Sequence, residues 1–407
     1  MKTILATAYA INPYKGSEDG MGWNLVLQIA RFNKVIAITR ENNKPHIDQY
    51  KLEYPNELYN NITFLYFDLP YYLRFWKKGQ RGAMLYFYLW QRFVVGFIKQ
   101  QHLAFDIVHN LNFHNDWTPS FLWKLNKPFV WGPVGHHPQI PAAFLQPYAR
   151  KEYLKDRATW FIKKLFWNIS PSLKQAAQKA QAIIAMNSSV KKQLTAHQDK
   201  FVIIPSVSSE RVVSEPKQQE VFRILSVGRF VPLKGFDVTI KAFAAFYHQL
   251  AEKEKKRTEL VLVGDGPYRN YLQNLAANLG VAHAVKIILW VKRAELASIY
   301  QGSSVFLFPS HEGAGMVVAE ALSYGLPVLC FNNCGPGEFI TEECGIKVDY
   351  STYENSVRQF SLALEKLFHN QAEMNRLSNE AKIHFEANFT WETKGEKLNT
   401  IYQQLSA

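Results

Sequence analysis

The chain has 407 residues, 47% of them hydrophobic, and its 47 Lys and Arg against 34 Asp and Glu give a formal net charge of +13. That length exceeds one small core and suits two α/β domains, while no apolar run approaches the roughly 20 residues of a membrane-spanning helix. The odd set of Cys330, Cys334 and Cys344, with no histidine at zinc-site spacing, excludes a complete disulfide framework and reads as free thiols.

The first half alternates short apolar runs with helical periods, the pattern of a parallel sheet covered by helices. Its expected strands are Thr3 to Thr7, Val35 to Thr39, Ile62 to Phe67, Ile107 to Val108, Phe129 to Trp131 and Ala182 to Ala185. Met1 to Ala8 reads as the first of these and not as a secretory signal, so a cytoplasmic location is expected. After it comes Gly16-Ser17-Glu18-Asp19-Gly20-Met21-Gly22, read as a glycine loop before a helix that begins near Trp23, with amides such as that of Gly20 turned toward a ligand. A plain turn explains the same glycines. His109, His114 and Asp116 follow the Ile107 strand, and His136 follows the Phe129 strand, at sheet edges where ligands bind in open α/β sheets.

The positive charge points to an anionic partner, whether nucleic acid, acidic membrane or phosphorylated substrate. Leu69 to Phe105 holds no acidic residue, and its cations, Arg74, Lys77, Lys78, Arg81, Arg92 and Lys99, interleave with the ten aromatics from Tyr71 to Phe97. Tyr148 to Trp167 is a second cationic, aromatic-rich stretch. Both suit an anionic bilayer surface, and both equally suit a core whose solvated face carries the cations.

Pro205 to Gln219 is polar, contains proline and lacks periodicity, and is read as the hinge. The second half then repeats the βα alternation, with strands expected at Phe222 to Val227, Glu259 to Val263, Lys286 to Leu289, Val305 to Phe308, Pro327 to Phe331 and Ile346 to Val348. Three of its strand ends carry glycine with polar groups. Gly228-Arg229 and Lys234-Gly235 set a guanidinium fork and a point charge at one end, a pair suited to a diphosphate. Gly264-Asp265-Gly266-Pro267 is a tight turn at the next. At the third, Glu312 and Glu320 bracket a glycine-containing start of a helix, whose positive end suits a phosphate or sugar oxygen. Glu320, about a turn inside, suits the paired hydroxyls of a ribose.

In this order the motifs, together with Gly325-x-Pro327-Val328, resemble the retaining GT-B glycosyltransferases of the family-four type, closely over the second half and loosely over the first. The resemblance implies two Rossmann-like, doubly wound parallel-sheet domains facing across a cleft: an acceptor-side domain at 1–205, a nucleotide-sugar-binding domain at 206–388, and a helix at 389–407 that returns to the first. It implies a nucleotide-sugar donor and a sugar or lipid-linked glycan acceptor, in envelope polysaccharide or glycolipid assembly. Arg229 and Lys234 would hold the diphosphate, Glu312 the hydroxyls of the transferred sugar and Glu320 the ribose. Gly228, Gly266, Ala314, Gly315, Met316 and Val317 would line the donor, with amides of the last four at the distal phosphate.

Two departures from the family pattern stand out. Trp290 replaces the usual glycine on the base side, which leaves UDP and GDP both open. A family histidine that touches the donor sugar is matched by Val134, with His136 and His137 just beyond, so His109, His114 and His136 are carried as acceptor-side candidates. No Asp-x-Asp occurs, and no cofactor or divalent metal is expected. Nucleic acid is not expected as a partner; a peripheral position on the inner face of the cytoplasmic membrane is. A nucleotide-sugar epimerase or a phosphorylase of the same fold, or a non-catalytic basic binder of nucleic acid or membrane, are the competing readings.

Overall fold

The computed structural model describes residues 1–405 except 80, 113–114, 213–219 and 290. His114 and Trp290, and residues 213–219 of the expected hinge, therefore lie outside the described residues. The chain divides into two compact units. One comprises 1–136, 161–206 and 391–407; the other comprises 137–160 and 207–390.

In the first unit seven parallel strands form one sheet: β1 Thr3–Thr7, β2 Lys34–Thr39, β3 Ile62–Tyr66, β4 Ile107–Asn110, β5 Phe129–Val134, β6 Ala182–Ala185 and β7 Phe201–Ile203. Their order is β3-β2-β1-β4-β5-β6-β7, so the direction of winding reverses between β1 and β4. The strand β7 was not expected. It has three residues at the sheet edge, with Val202 and Ile203 exposed, and so leaves almost no burial pattern to read. The six strands of the second unit are β8 Phe222–Val227, β9 Thr258–Val263, β10 Val285–Ile288, β11 Val305–Phe308, β12 Val328–Phe331 and β13 Gly345–Val348. They run β10-β9-β8-β11-β12-β13, all parallel, with the reversal between β8 and β11. The inner strands of both sheets, such as β4, β5, β11 and β12, are buried on two faces, which is why they read as near-continuous apolar runs.

Two segments join units that chain order would not assign to them. Residues 137–160 cluster with the second unit, whereas the domain boundary was expected at 205. Phe144, 1% exposed, enters that unit's core and packs edge-on against Phe331, Tyr350 and His311. The Tyr148 hydroxyl donates to Asp237 Oδ1 at 2.6 Å, and Tyr353 donates to Oδ2 at 2.6 Å, so the buried carboxylate of Asp237 is gripped from both sides. Burial pushes the Asp237 carboxyl above the ordinary range despite those donors. The helix Trp391–Gln404 belongs to the first unit, where it packs on the helix Ser17–Ala30. Its buried Lys394 donates to the Pro205 carbonyl, and burial holds the Lys394 ammonium well below its usual range.

The expected glycine loop at 16–22 is instead helix from Ser17 onward. A Cβ at Gly20 would run into the Lys15 carbonyl, and one at Gly22 into the Ala10 carbonyl and the Asn112 amide. Those glycines serve close packing, and the Gly20 amide is spent inside the helix on the Gly16 carbonyl at 3.4 Å. In the stretch from Leu69 to Phe105 the core reading covers the helix Ala83–Gln100, where Tyr86, Phe87 and Trp90 are buried. Tyr71, Tyr72 and Phe75 are exposed.

Candidate functional site

The loops that leave β8 and β11 sit on either side of the reversal point of the second sheet, the position where open α/β sheets bind ligands. The β8 loop turns at Gly235, whose φ of +67° is left-handed and whose missing Cβ lets the chain lie against the Pro309 carbonyl that follows β11. The His311 amide then donates to the Leu233 carbonyl at 2.9 Å, and Ser310 Oγ to the same oxygen at 3.2 Å. Two loops far apart in the chain are thus stitched together, and the stitching decides where their side chains end up.

Lys234 Nζ meets Glu312 Oε2 at 2.7 Å, each side chain about 16% exposed. The single Ser310 hydroxyl proton lies within reach of both the Leu233 carbonyl and the same carboxylate oxygen, 3.3 Å away, and Ser310 Oγ accepts the Glu312 amide at 3.2 Å. The Lys234 stem lies over the Gly228 backbone, where a Cβ would come within 3.3 Å of it, and the ammonium stands 5.2 Å from the Phe308 ring centre. Arg229, the next residue after Gly228, is exposed at the carboxyl end of β8.

From Glu312 the chain passes through Gly313, whose amide donates to His137 Nδ1 at 3.1 Å, and enters the helix Met316–Ser323 behind Gly315. No side chain caps that helix start. Its first amides have no intrahelical acceptors by geometry, which is what makes such an end suited to anions. From the far side Gly335 presses on the backbone of Glu312 to Ala314, where a Cβ would overlap, and Asn333 donates to the Ser310 carbonyl at 2.8 Å. Glu320, one turn into the helix, accepts the Tyr300 hydroxyl at 2.9 Å. Burial first, and the neighbouring Glu320 next, hold the Tyr300 phenol well above its usual range, so it stays a donor.

The β9 turn supports this site from behind. Gly264 packs on the Gly228 carbonyl, Gly266 packs on Phe230, and the Phe230 amide donates to the Asp265 carbonyl at 3.0 Å. Gly266 therefore positions the loop that carries Arg229. His311 is a packing residue: its ring lies against those of Phe331 and Tyr350, Nδ1 meets the Tyr350 hydroxyl at 2.7 Å, and burial pushes it down to about 3.

These contacts place Lys234, Glu312 and Ser310 together, with the helix start and Glu320 following along one segment. A further match supports that reading of the loops. Residues 208–384 match the family described as Glycosyl transferases group 1. This stretch is similar to the group 1 glycosyltransferases. Among curated relatives, an uncharacterized glycosyltransferase of Haemophilus influenzae is 32% identical over 163 residues, 39% of this chain and 44% of the relative. A D-inositol 3-phosphate glycosyltransferase of Corynebacterium diphtheriae is 25% identical over 76% of this chain and 73% of its own. A GDP-mannose-dependent monoacylated alpha-(1-6)-phosphatidylinositol monomannoside mannosyltransferase of Corynebacterium glutamicum is 28% identical over 43% and 45%. Apart from the Corynebacterium diphtheriae protein, the chain spans under half the length of these relatives.

Similar solved structures cover nearly the whole chain. The sucrose-phosphate synthase of Thermosynechococcus elongatus has a TM-score of 0.67 at 18% identity, covering 100% of this chain and 99% of that one. WaaG, a glycosyltransferase involved in lipopolysaccharide biosynthesis, has 0.63 at 18% identity over 98% and 99%, and Anabaena HepE in complex with UDP has 0.65 at 14% over 99% and 100%. The fold is GT-B.

The acceptor-side candidates in the first unit fare differently. His109 is 0% exposed, with Nδ1 on the Tyr402 hydroxyl and Nε2 on the Gly132 carbonyl, both at 2.6 Å. Burial pushes it down to about 3, and with both ring nitrogens engaged in the core it is corrected to a structural residue. His136, 4% exposed, pairs with Asp116 at 2.8 Å, and its ring packs against that of Trp167. Val134 is buried within β5. The contacts made by His137, Ser310, Tyr300 and Gly335 were not read from the sequence. The Asn333-Cys334-Gly335-Pro336-Gly337 cluster directly after β12 was the available signal for the last of them.

Proposed function

We propose that this chain is a retaining glycosyltransferase that moves a sugar from a nucleotide-sugar to a hydroxyl of a glycan or glycolipid acceptor in envelope assembly. One observation carries the reading: a lysine and a glutamate from two different strand ends meet at 2.7 Å at the reversal point, directly before a helix start without a side-chain cap. The names of similar proteins, acting on phosphatidylinositol mannosides or in lipopolysaccharide biosynthesis, favour such an acceptor.

In this reading Lys234 and Arg229 face the donor diphosphate. Negative charge grows there as the sugar–phosphate bond breaks, and fixed cations stabilise that charge more than the ground state. The Glu312 carboxylate holds the Lys234 ammonium in place and offers its other oxygen to hydroxyls of the sugar. Amides at the start of Met316–Ser323 take the distal phosphate, and Glu320 the ribose. An acceptor hydroxyl that attacks from the face the phosphate leaves retains the anomeric configuration, its proton passing to the departing phosphate oxygen.

The test is a panel of UDP- and GDP-sugars, with nucleoside diphosphate release measured with and without glycan and glycolipid acceptors, and product anomers assigned by NMR. The reading expects turnover of one donor with retention. Inverted product removes the retaining assignment, and no binding or turnover of any donor removes the whole.

A further inference from the structure

The helix Arg150–Ile169 has an unusual division of faces. Lys163 and Trp167 are its buried side chains, and Trp167 Nε1 donates to the Asp116 carbonyl at 3.0 Å. On the opposite side Leu154, Phe161, Ile162, Leu165 and Ile169 are between 45% and 69% exposed. Their spacing, i, i+7, i+8, i+11, i+15, confines them to an arc of about 100° at 3.6 residues per turn. A lone exposed leucine needs no explanation, but an aligned stripe of five over four turns marks a surface meant to be covered.

Charge on the same helix narrows what covers it. Lys155 projects along one border of the stripe and Arg150 and Lys164 along the other, while Lys151 continues the stripe itself at its N-terminal end, all four exposed. The acidic residues Glu152 and Asp156 lie toward the opposite side and are partly buried, Asp156 paired with Arg157 at 3.1 Å. A second copy of the helix laid on this face would bring cations against cations, which disfavours self-association. An anionic bilayer offers acyl chains to the stripe and phosphates to both borders at once. Exposed Tyr71, Tyr72 and Phe75, near exposed Lys78 and Arg81 in the chain, show the same pairing of apolar rings with cations.

We propose that the helix Arg150–Ile169 is a docking element for an anionic lipid surface, lying in the interface with Leu154, Phe161, Ile162, Leu165 and Ile169 at the headgroup and acyl boundary. No helix among the described residues is long and apolar enough to cross a membrane, so the contact is one of lying on and not of spanning. The proposal stands apart from the reaction assigned above, because lipid binding requires neither donor nor acceptor.

Co-sedimentation of the full chain with vesicles tests it, comparing phosphatidylglycerol-containing with pure phosphatidylcholine vesicles at low and high salt. The parent is expected to bind the anionic vesicles selectively and to be weakened by salt. Phe161→Ser with Leu165→Ser should reduce that binding by about tenfold or more. Lys151→Glu with Lys164→Glu should do the same, and since it alters only exposed side chains it carries the test should the serine pair fail to fold. A parent that ignores anionic vesicles, or two folded variants that bind them as the parent does, overturns the proposal. So does a parent that self-associates in ultracentrifugation while the serine pair is monomeric and neither binds lipid, which assigns the stripe to a second copy.

Discussion

Lys234→Met is the most informative single change, because it keeps the stem packed on Gly228 and Phe308 and removes only the charge. At 2.7 Å and an effective dielectric of about 20 the attraction to Glu312 is about 6 kcal/mol. Desolvation of two side chains only about 16% exposed offsets most of it, leaving a net cost near 2 kcal/mol when one partner is lost. A double-mutant cycle with Glu312→Gln, read by urea unfolding, should return a coupling of about 1 to 2 kcal/mol. In the reaction, a cation whose contact strengthens as the phosphate departs should lower kcat about a hundredfold in Lys234→Met, with a smaller change in KM. A coupling within about 0.3 kcal/mol of zero would refute the pair as a unit. A kcat within about threefold of the parent in a folded variant would refute the charge-neutralising role.

Other outcomes follow from the same contacts. Glu320→Ala should weaken nucleotide binding by about 1 to 3 kcal/mol in calorimetry, and also destabilise the fold by stranding the buried Tyr300 hydroxyl, whereas Glu320→Gln, which keeps an acceptor, should spare the fold. Gly235→Ala should cost about 2 to 4 kcal/mol in urea unfolding, because it combines a left-handed φ with a clash at the Pro309 carbonyl. Burial pushes His109 and His311 down to about 3, so the unfolded chain takes up protons below its pKa of 6.5 that the folded chain refuses. Each histidine's contribution is present above 6.5 and is lost as pH falls toward 3, about 2 kcal/mol apiece by pH 5; unfolding midpoints in urea across pH 5 to 8 check it, with His311→Asn flattening the second unit's share.

The strands were legible because a two-sided parallel sheet demands apolar residues at nearly every position, a local pattern that Val305–Phe308 or Val328–Phe331 displays without help from the rest of the chain. The same holds for the loops after β8 and β11, where glycine beside a fixed charge is a short-range signal. At Gly20 and Gly22 the same residue type meant the reverse, close packing of a helix, and only the neighbouring Ala10 and Asn112 reveal that. His109 reads as a polar group at a strand end until Tyr402, 293 positions on, is found against it.

Sequence alone thus determined the two βα halves and the residue types that suit a diphosphate, because alternation of burial and glycine-charge turns are encoded within a few neighbouring positions. Tertiary structure alone decided that Lys234 faces Glu312, that Gly313 is held by His137 and that Phe144 and Tyr148 belong to the core around Asp237. Those partners are brought together by strand order, through contacts 78 to 176 positions apart, and no local preference carries information over such distances.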